Sequence, residues 1–323
     1  MNPDIFLWPQ GQPLRLAHWL GRPVGCAVVE ARLGELYPAA EPVLFSSGRA
    51  GLRAVIAHLG LGRPDLVWCP PFSSHCVFDA VSRLVTPTTL AADGVRAALV
   101  YHQWGHVHDQ HFATGTEIIE DAVDTLFVPG DSPFSAGGRF ALWSLPKVLA
   151  CRWGGVVFCR DREDAAQLRR GRDAVPLPPR LQAWLRLAGE RFPQAAAYWH
   201  GAESGGGRLP AFALRHIADA LDRLPGEVAA RRLRLEALQT FSLAPPPRHL
   251  PSNLPFPADP AFAAPLPSGA RLSAGLRSFN LDRRAPDGRW ERVFPIPIHQ
   301  DISGMDIAEI VARANSVQRF QHK

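Results

Sequence analysis

Between residues 42 and 159, short apolar runs recur with room for about one helix between neighbours, and the polar positions gather in the gaps. The runs are PVLF (42–45), DLVWC (65–69), RLVTP (83–87), AALVYH (97–102), EIIED (117–121), RFALWS (139–144) and GGVVFC (154–159). Several are apolar at nearly every position, the pattern of strands covered on both faces of a parallel sheet. Helices are predicted over 49–59, behind a Ser-Ser-Gly start signal, and over 73–84. This alternation predicts an α/β fold whose large domain has three layers around a mostly parallel seven-stranded sheet.

Beyond residue 161 the period changes to that of long, arginine-rich amphipathic helices, predicted over 161–170, 180–199 and 211–240 and forming an outer layer. The glycine run 204–207 between them predicts a loop. The stretch APPPRHLPSNLPFPADP (244–260) is too rich in proline for a helix and predicts a linker or irregular crossing. Strand-like patterns at 270–279 and 291–298, a turn at 286–288 and a closing helix from 303 predict a small C-terminal α/β domain. The expected division is 1–240, with its sheet at 42–160 and outer helices at 161–240, followed by 241–323 with the linker.

Composition narrows the function classes. The chain of 323 residues is 46% hydrophobic, enough for a sizeable core, and its 35 basic and 30 acidic residues are scattered along the length. A net charge of +5 spread in this way is a solvated surface and no nucleic-acid footprint. The start MNPDIFLWPQ has an early acid, Asp4, and neither a basic leader nor a long apolar core, so a cytoplasmic protein without a membrane segment is expected. Five cysteines (Cys26, Cys69, Cys76, Cys151 and Cys159) without a C-x-x-C pair argue against a disulfide framework and a cysteine zinc site.

One detail points to chemistry. Of the 35 basic residues 33 are arginine, and Lys147 is the sole lysine before the C-terminal Lys323. A genome that favours arginine explains the bias wherever charge alone matters. An amine does what guanidinium does not: it forms an imine with an aldehyde. Lys147 lies in SLPKVLACRWGGVVF, between one apolar strand and the next, on a predicted turn at the sheet edge. Asp121 ends the strand EIIED, where an acid reaches the cleft at the carboxyl ends of parallel strands. LFSSGRAGL (44–52) runs from a strand into a helix start, where Ser47, Gly48, Arg49 and Ala50 surround an anion site. Ser144 offers a further hydroxyl, and Phe72 or His75 in CPPFSSHC (69–76) a ring face. Amine, carboxylate, anion site and flat face are what pyridoxal 5'-phosphate (PLP) requires of a protein.

Six segments, VLFSSGRAGLRAVIAHLGLG, VWCPPFSSHCVFDAV, LVYHQWGH, IIEDAVDTL, SLPKVLACRWGGVVF and FPIPIHQDIS, stand in the order found in PLP-dependent nucleotide-sugar aminotransferases of the DegT/StrS type. The chain resembles a short, divergent member of that family over about 43–161 and again over 293–314. The resemblance implies PLP fold type I and active sites built at a homodimer interface. It implies that Lys147 binds the cofactor aldehyde and moves protons, that Asp121 pairs with the pyridine nitrogen, and that Ser47, Gly48 and their neighbours hold the phosphate. It further implies an amino donor such as glutamate and a keto sugar nucleotide as acceptor, in the synthesis of a polysaccharide or glycosylated metabolite. The pattern departs at Arg49, where a small hydroxyl residue is usual, and at Ser74, where an aromatic residue commonly stacks on the ring. It departs again at Asp124 in place of glutamine and at Leu142 in place of a phosphate-binding serine. The family's Gly-x-Asn-x-Arg segment is not found after Arg172.

Two other readings compete. The departures fit a non-catalytic or altered-reaction protein that keeps the fold. Alternatively, His102, His106, His108 and His111 with Asp109, in YHQWGHVHDQH, have a spacing that brings imidazoles around one metal ion.

Overall fold

The computed structural model describes residues 4–321 except 91–92, 110, 177, 193–206, 273–274 and 283–287. All seven apolar runs become strands of one sheet: β1 (Glu41–Phe45), β2 (Leu66–Trp68), β3 (Thr86–Thr88), β4 (Val95–Tyr101), β5 (Glu117–Asp121), β7 (Phe140–Ser144) and β8 (Gly155–Cys159). A two-residue strand, β6 (Thr125–Leu126), lies outside that sheet. The order across the sheet is β1-β8-β7-β5-β4-β2-β3, and β8 alone runs antiparallel to its neighbours. The expected α/β class and mostly parallel sheet are therefore what the chain forms.

Helices cover both faces of this sheet. On one face, α3 (Gly48–His58), α4 (His75–Ser82) and α6 (Arg162–Asp173) enclose a core that includes Val43, Phe45, Val67, Leu99, Phe140 and Val157. The other face packs Leu44, Trp143, Val156 and Phe158 against α2 (Cys26–Leu36) and the long helix α8 (Ala211–Leu238). Alternate residues of β1, β7 and β8 thus enter two different cores, which is why these runs read as apolar throughout.

The outer helices match expectation in position, with α7 at Pro179–Arg191. The predicted continuation to 199, the loop residues 204–206 and most of the turn at 286–288 lie outside the described residues. The N-terminal helices α1 (Leu16–Leu20) and α2 were not anticipated. The proline-rich stretch 244–260 is no linker through solvent. It contributes β9 (Leu250–Pro251), paired with β6, and β10 (Asn253–Phe256), which is buried along its length. Proline is tolerated in β10 because it is an edge strand, paired only with β12 (Trp290–Pro297) in the small sheet β10-β12-β11 (β11, Arg277–Asn280). The C-terminal helix α9 (Gly304–Gln321) packs its apolar side on this sheet, with Phe256, Phe294, Ile296 and Ile310 in a separate core. No helix among the described residues is long and apolar enough to cross a membrane.

Candidate active site

Parallel strands deliver their carboxyl ends to one edge of a sheet, and here four of them bring chemistry with them. Tyr101 at the end of β4 pairs with Asp121 at the end of β5, which pairs with Leu142 of β7. Across β8, Gly155 has Ser144 on one side and Phe45 on the other. The segments that follow these ends, 46–50, 121–125 and 144–147, therefore emerge side by side.

Two consecutive glycines make this crowding feasible. Gly154 has φ +105°, in the left-handed region, and a Cβ there would stand 2.7 Å from Leu145 Cδ1. A Cβ on Gly155 would lie 2.2 Å from the backbone nitrogen of Gly48 and from the carbonyl carbon of Ser47. The start of α3 is thus pressed onto β8 with no room for a methyl group. Gly155→Ala is expected to destabilise the fold by about 3 kcal/mol, since backbone and not a pliable side chain must yield. Chemical denaturation of the two proteins checks this.

At that helix start Ser47 is the N-cap, and its Oγ accepts from the Ala50 N–H at 3.1 Å. The positive end of α3 lies at Gly48 and Arg49. Beside it the Ser46 hydroxyl is buried without a hydrogen-bond partner. Gly48 itself lies against Val123 and Ser144, with a virtual Cβ 3.5 Å from Val123 Cγ1 and 3.8 Å from Ser144 Cβ. The anion-type helix start, the segment after Asp121 and the segment before Lys147 therefore touch.

Lys147 lies on a single helical turn, α5 (Leu145–Leu149), where an open turn was expected. Ser144 stands at its N-cap position without capping through its side chain, Pro146 occupies the first turn, and Ala150 ends it at φ +54°. Leu145, Val148 and Leu149 are buried, so helical spacing leaves Lys147 half-buried on the other side. The turn is tied down by the fully buried Arg231 of α8, whose Nη2 donates to the Val148 carbonyl at 2.8 Å. Lys147 Nζ sits over the indole of Trp8, 4.3 Å from the ring centroid.

Two carboxylates share the field of this ammonium. Asp121 is 4% exposed and Asp124 fully buried. Burial pushes the Asp121 carboxyl up to about 6; the charge of Lys147 works against that shift, and the neighbouring Asp124 adds to it. Burial likewise raises Asp124, opposed by Lys147 and by hydrogen bonds from the Tyr101 hydroxyl and the Trp104 N–H. Asp121 Oδ1 accepts from the Val123 N–H at 3.2 Å. The charge of one lysine thus acts on two buried acids, and for Asp121 burial outweighs it.

The remaining predicted residues are placed differently. Burial lowers the pKa of Arg49, while Cys76 and Asp79 of α4 favour its charge. Ser74 and His75 are exposed, and Ser74 Oγ meets Cys76 Sγ at 3.0 Å. Phe72, at φ +63°, is 69% exposed and lies 5.2 Å from the ring of Trp290. Leu142 is buried in the core between α3 and the sheet.

The histidine cluster is engaged in structure. His102 Nδ1 accepts from the His108 N–H at 3.1 Å, so its Nε2 carries the proton and donates to Glu120 Oε2 at 2.7 Å. Glu120 also accepts from the N–H groups of Ser135 and Gly138, which with His102 hold its pKa low despite burial. His106 packs edge-on against Phe279, while Asp109 and His111 are exposed. Among the described residues, no group of three or more His, Cys, Asp or Glu is arranged to hold a metal ion. Sequence reasoning missed Trp8, Tyr101, Glu120 and Arg231; the apolar run FLW near the N-terminus is the one local signal that pointed to Trp8.

A family model described as "Putative PLP-dependent aminotransferase" matches residues 29–242, about two thirds of the chain. The chain belongs to this family. Its cofactor is PLP, and the enzyme class is PLP-dependent aminotransferase. No curated protein matches the chain. Among solved structures, the aminotransferase TlmJ from Streptoalloteichus hindustanus superposes with a TM-score of 0.61 at 18% identity, over 98% of this chain and 99% of that one. A DegT DnrJ EryC1 StrS aminotransferase from Brucella abortus gives 0.59 at 17% identity, over 93% of each chain. DesI, solved in the presence of its TDP-sugar product, gives 0.59 at 16% identity, over 100% of this chain and 95% of that one. These likenesses establish the shared PLP fold type I.

The residues at the sheet edge fit the family's cofactor. A buried carboxylate, a helix start with an unpartnered buried hydroxyl, and an amine whose charge reaches that carboxylate are complementary to a pyridinium, a phosphate and an aldehyde.

Proposed function

We propose that this aminotransferase moves an amino group to a keto sugar nucleotide and acts as a homodimer. The observation that carries the site assignment is the contact of the α3 start at Gly48 with Val123 and Ser144, which brings together the segments that carry the buried acids Asp121 and Asp124 and the single internal lysine. PLP supplies an electron sink for bonds at the α-carbon of an amine bound to it. Lys147 would hold the cofactor through its aldehyde, and its Nζ, when free, would take a proton from the α-carbon of the amino donor. Asp121 keeps the charge at the pyridine nitrogen, a role that relieves its own cost of burial. Ser46, Ser47 and Gly48 receive the phosphate at the positive end of α3.

Ser144 lies against the α3 start, and Asp124 shares the field of Lys147 with Asp121, so both are assigned to the same space; Ala50 is assigned with the helix start that Ser47 caps, while Arg49, Ser74 and His75 lie on the α4 side. The C-terminal unit is taken as 241–323, with its own core around Phe256, Phe294 and Ile296. The nucleotide-sugar acceptor is supported by the fold shared with DesI and its TDP-sugar product. A role in polysaccharide or glycosylated-metabolite synthesis follows from that acceptor.

The test is spectroscopic. Purified protein with added PLP is expected to show a visible band that borohydride fixes, that glutamate bleaches, and that a TDP-linked keto sugar restores. A band restored by simple keto acids and not by the keto sugar would sink the acceptor assignment; no reducible band at all would sink the cofactor site.

A further inference from the structure

The N-terminal segment is bound at intervals along its length. Ile5 N–H donates to the Arg271 carbonyl at 2.8 Å, and the Phe6 carbonyl accepts from His299 Nε2 at 2.8 Å. The Leu7 carbonyl accepts from Asn253 Nδ2 at 3.1 Å, and the Gln10 N–H donates to Asp301 Oδ2 at 2.6 Å. Four residues of the C-terminal unit thus grip this strap. Its far end is attached to the lysine helix, because the Gln12 N–H donates to the Ala150 carbonyl at 2.9 Å. Trp8 lies between the two anchorages, packed with Leu7 against a cluster containing Trp104 and Phe279. Trp104 is the residue whose N–H holds Asp124. The indole therefore has a fixed floor beneath it and the Lys147 ammonium over its face.

The aromatic residue that sequence reasoning expected near Ser74 is absent there, since Phe72 is turned toward Trp290 and His75 is exposed. We propose that Trp8 supplies the aromatic wall of the active site in its place and is a positioning residue for Lys147. The ring holds the amine by its π-face while the lysine is free, and it presents a flat apolar surface to whatever the amine binds. Because the strap hangs from Arg271, Asn253, His299 and Asp301, the C-terminal unit sets where that wall stands. This deepens the reading of Lys147 as the cofactor lysine and rests on it.

The chain has only two lysines, so its side-chain amines can be followed individually. Cofactor-free protein is treated with trinitrobenzenesulfonate, and the labelling of Lys147 and Lys323 is timed by peptide mass mapping, with Lys323 as the internal control. Trp8→Ala and Trp8→Leu are expected to label Lys147 about tenfold faster than the wild type, and Trp8→Phe within about twofold of it. Titration with PLP is expected to give an affinity about fivefold weaker in Trp8→Ala and Trp8→Leu, with Trp8→Phe near the wild type. Leucine keeps the apolar volume packed on Trp104, so a purely structural Trp8 would leave Trp8→Leu like the wild type, and that result overturns the inference. Equal labelling or equal PLP affinity across the series overturns it as well. Failure of the underlying reading looks different: wild-type protein would take up no borohydride-reducible PLP, whatever the labelling shows.

Discussion

Lys147→Ala is expected to abolish the borohydride-fixable PLP band and to lower turnover by roughly 10⁴-fold or more, because the proposed assignment gives one residue both the covalent anchor and the proton carrier. The arginine variant separates charge from chemistry. Lys147→Arg retains a cation beside Asp121 and Asp124 but forms no bond to an aldehyde, so it is expected to keep the wild-type melting temperature and lose the band. In Lys147→Ala the two acids lose their compensating charge. Its melting temperature is expected to fall at pH 8 and to recover at pH 5, where Asp121 is protonated. Absorption spectra and melts of the three proteins at both pH values check this; an unaltered band in Lys147→Ala would place the cofactor bond elsewhere.

Asp121→Asn is expected to stabilise the cofactor-free protein while disabling it. The Asp121 carboxyl is raised from 3.8 to about 6 by burial, so the folded state holds its proton more tightly than the unfolded state does. Its contribution to stability is complete below pH 4 and is lost as the pH rises through 6, and above that the ionised, buried carboxylate costs about 3 kcal/mol. Asparagine carries no charge and still accepts from the Val123 N–H. Urea denaturation without PLP should therefore show Asp121→Asn more stable than the wild type at pH 8 by up to about 3 kcal/mol, with the gap closing near pH 4. Turnover with PLP is expected to fall by roughly 10³-fold, since the group proposed to hold the pyridine nitrogen's charge is gone. A wild-type stability that stays flat between pH 4 and 7 would refute this account of Asp121. The energetic logic is that of a site maintained at a cost to the empty protein.

Much of the fold was legible because its signals are local. Seven apolar runs at strand spacing, interrupted by helical patterns, sufficed for the seven strands of the large sheet, and the Ser-Ser-Gly signal marked the start of α3 to within a residue. The N-terminal helices were missed because α2 is apolar over much of its surface and α1 has only five residues, so neither shows a clear period. The proline-rich stretch is free of α-helix, as expected, but its strand β10 was not legible, because proline excludes helix and not an edge strand, and nothing local announces that β12 will arrive to pair with it. The histidine cluster looked like a ligand set in one dimension. Only folding shows that Glu120, 18 residues from His102, takes that imidazole's proton donor.

The candidate site divides along the same line. By itself the sequence determined the lone internal lysine, the acid at the end of β5, the capped glycine helix start and the order of segments that resembles an aminotransferase, because each is a property of residue identity and short spacing. Tertiary structure alone decided that these segments share one edge of the sheet, pressed together by the absence of side chains at Gly154 and Gly155. It alone decided that a second acid, Asp124, is buried beside the first, and that a tryptophan 139 residues upstream covers the lysine. Burial, electrostatic coupling and ring contacts depend on distance through space, and a chain specifies those distances only once it has folded.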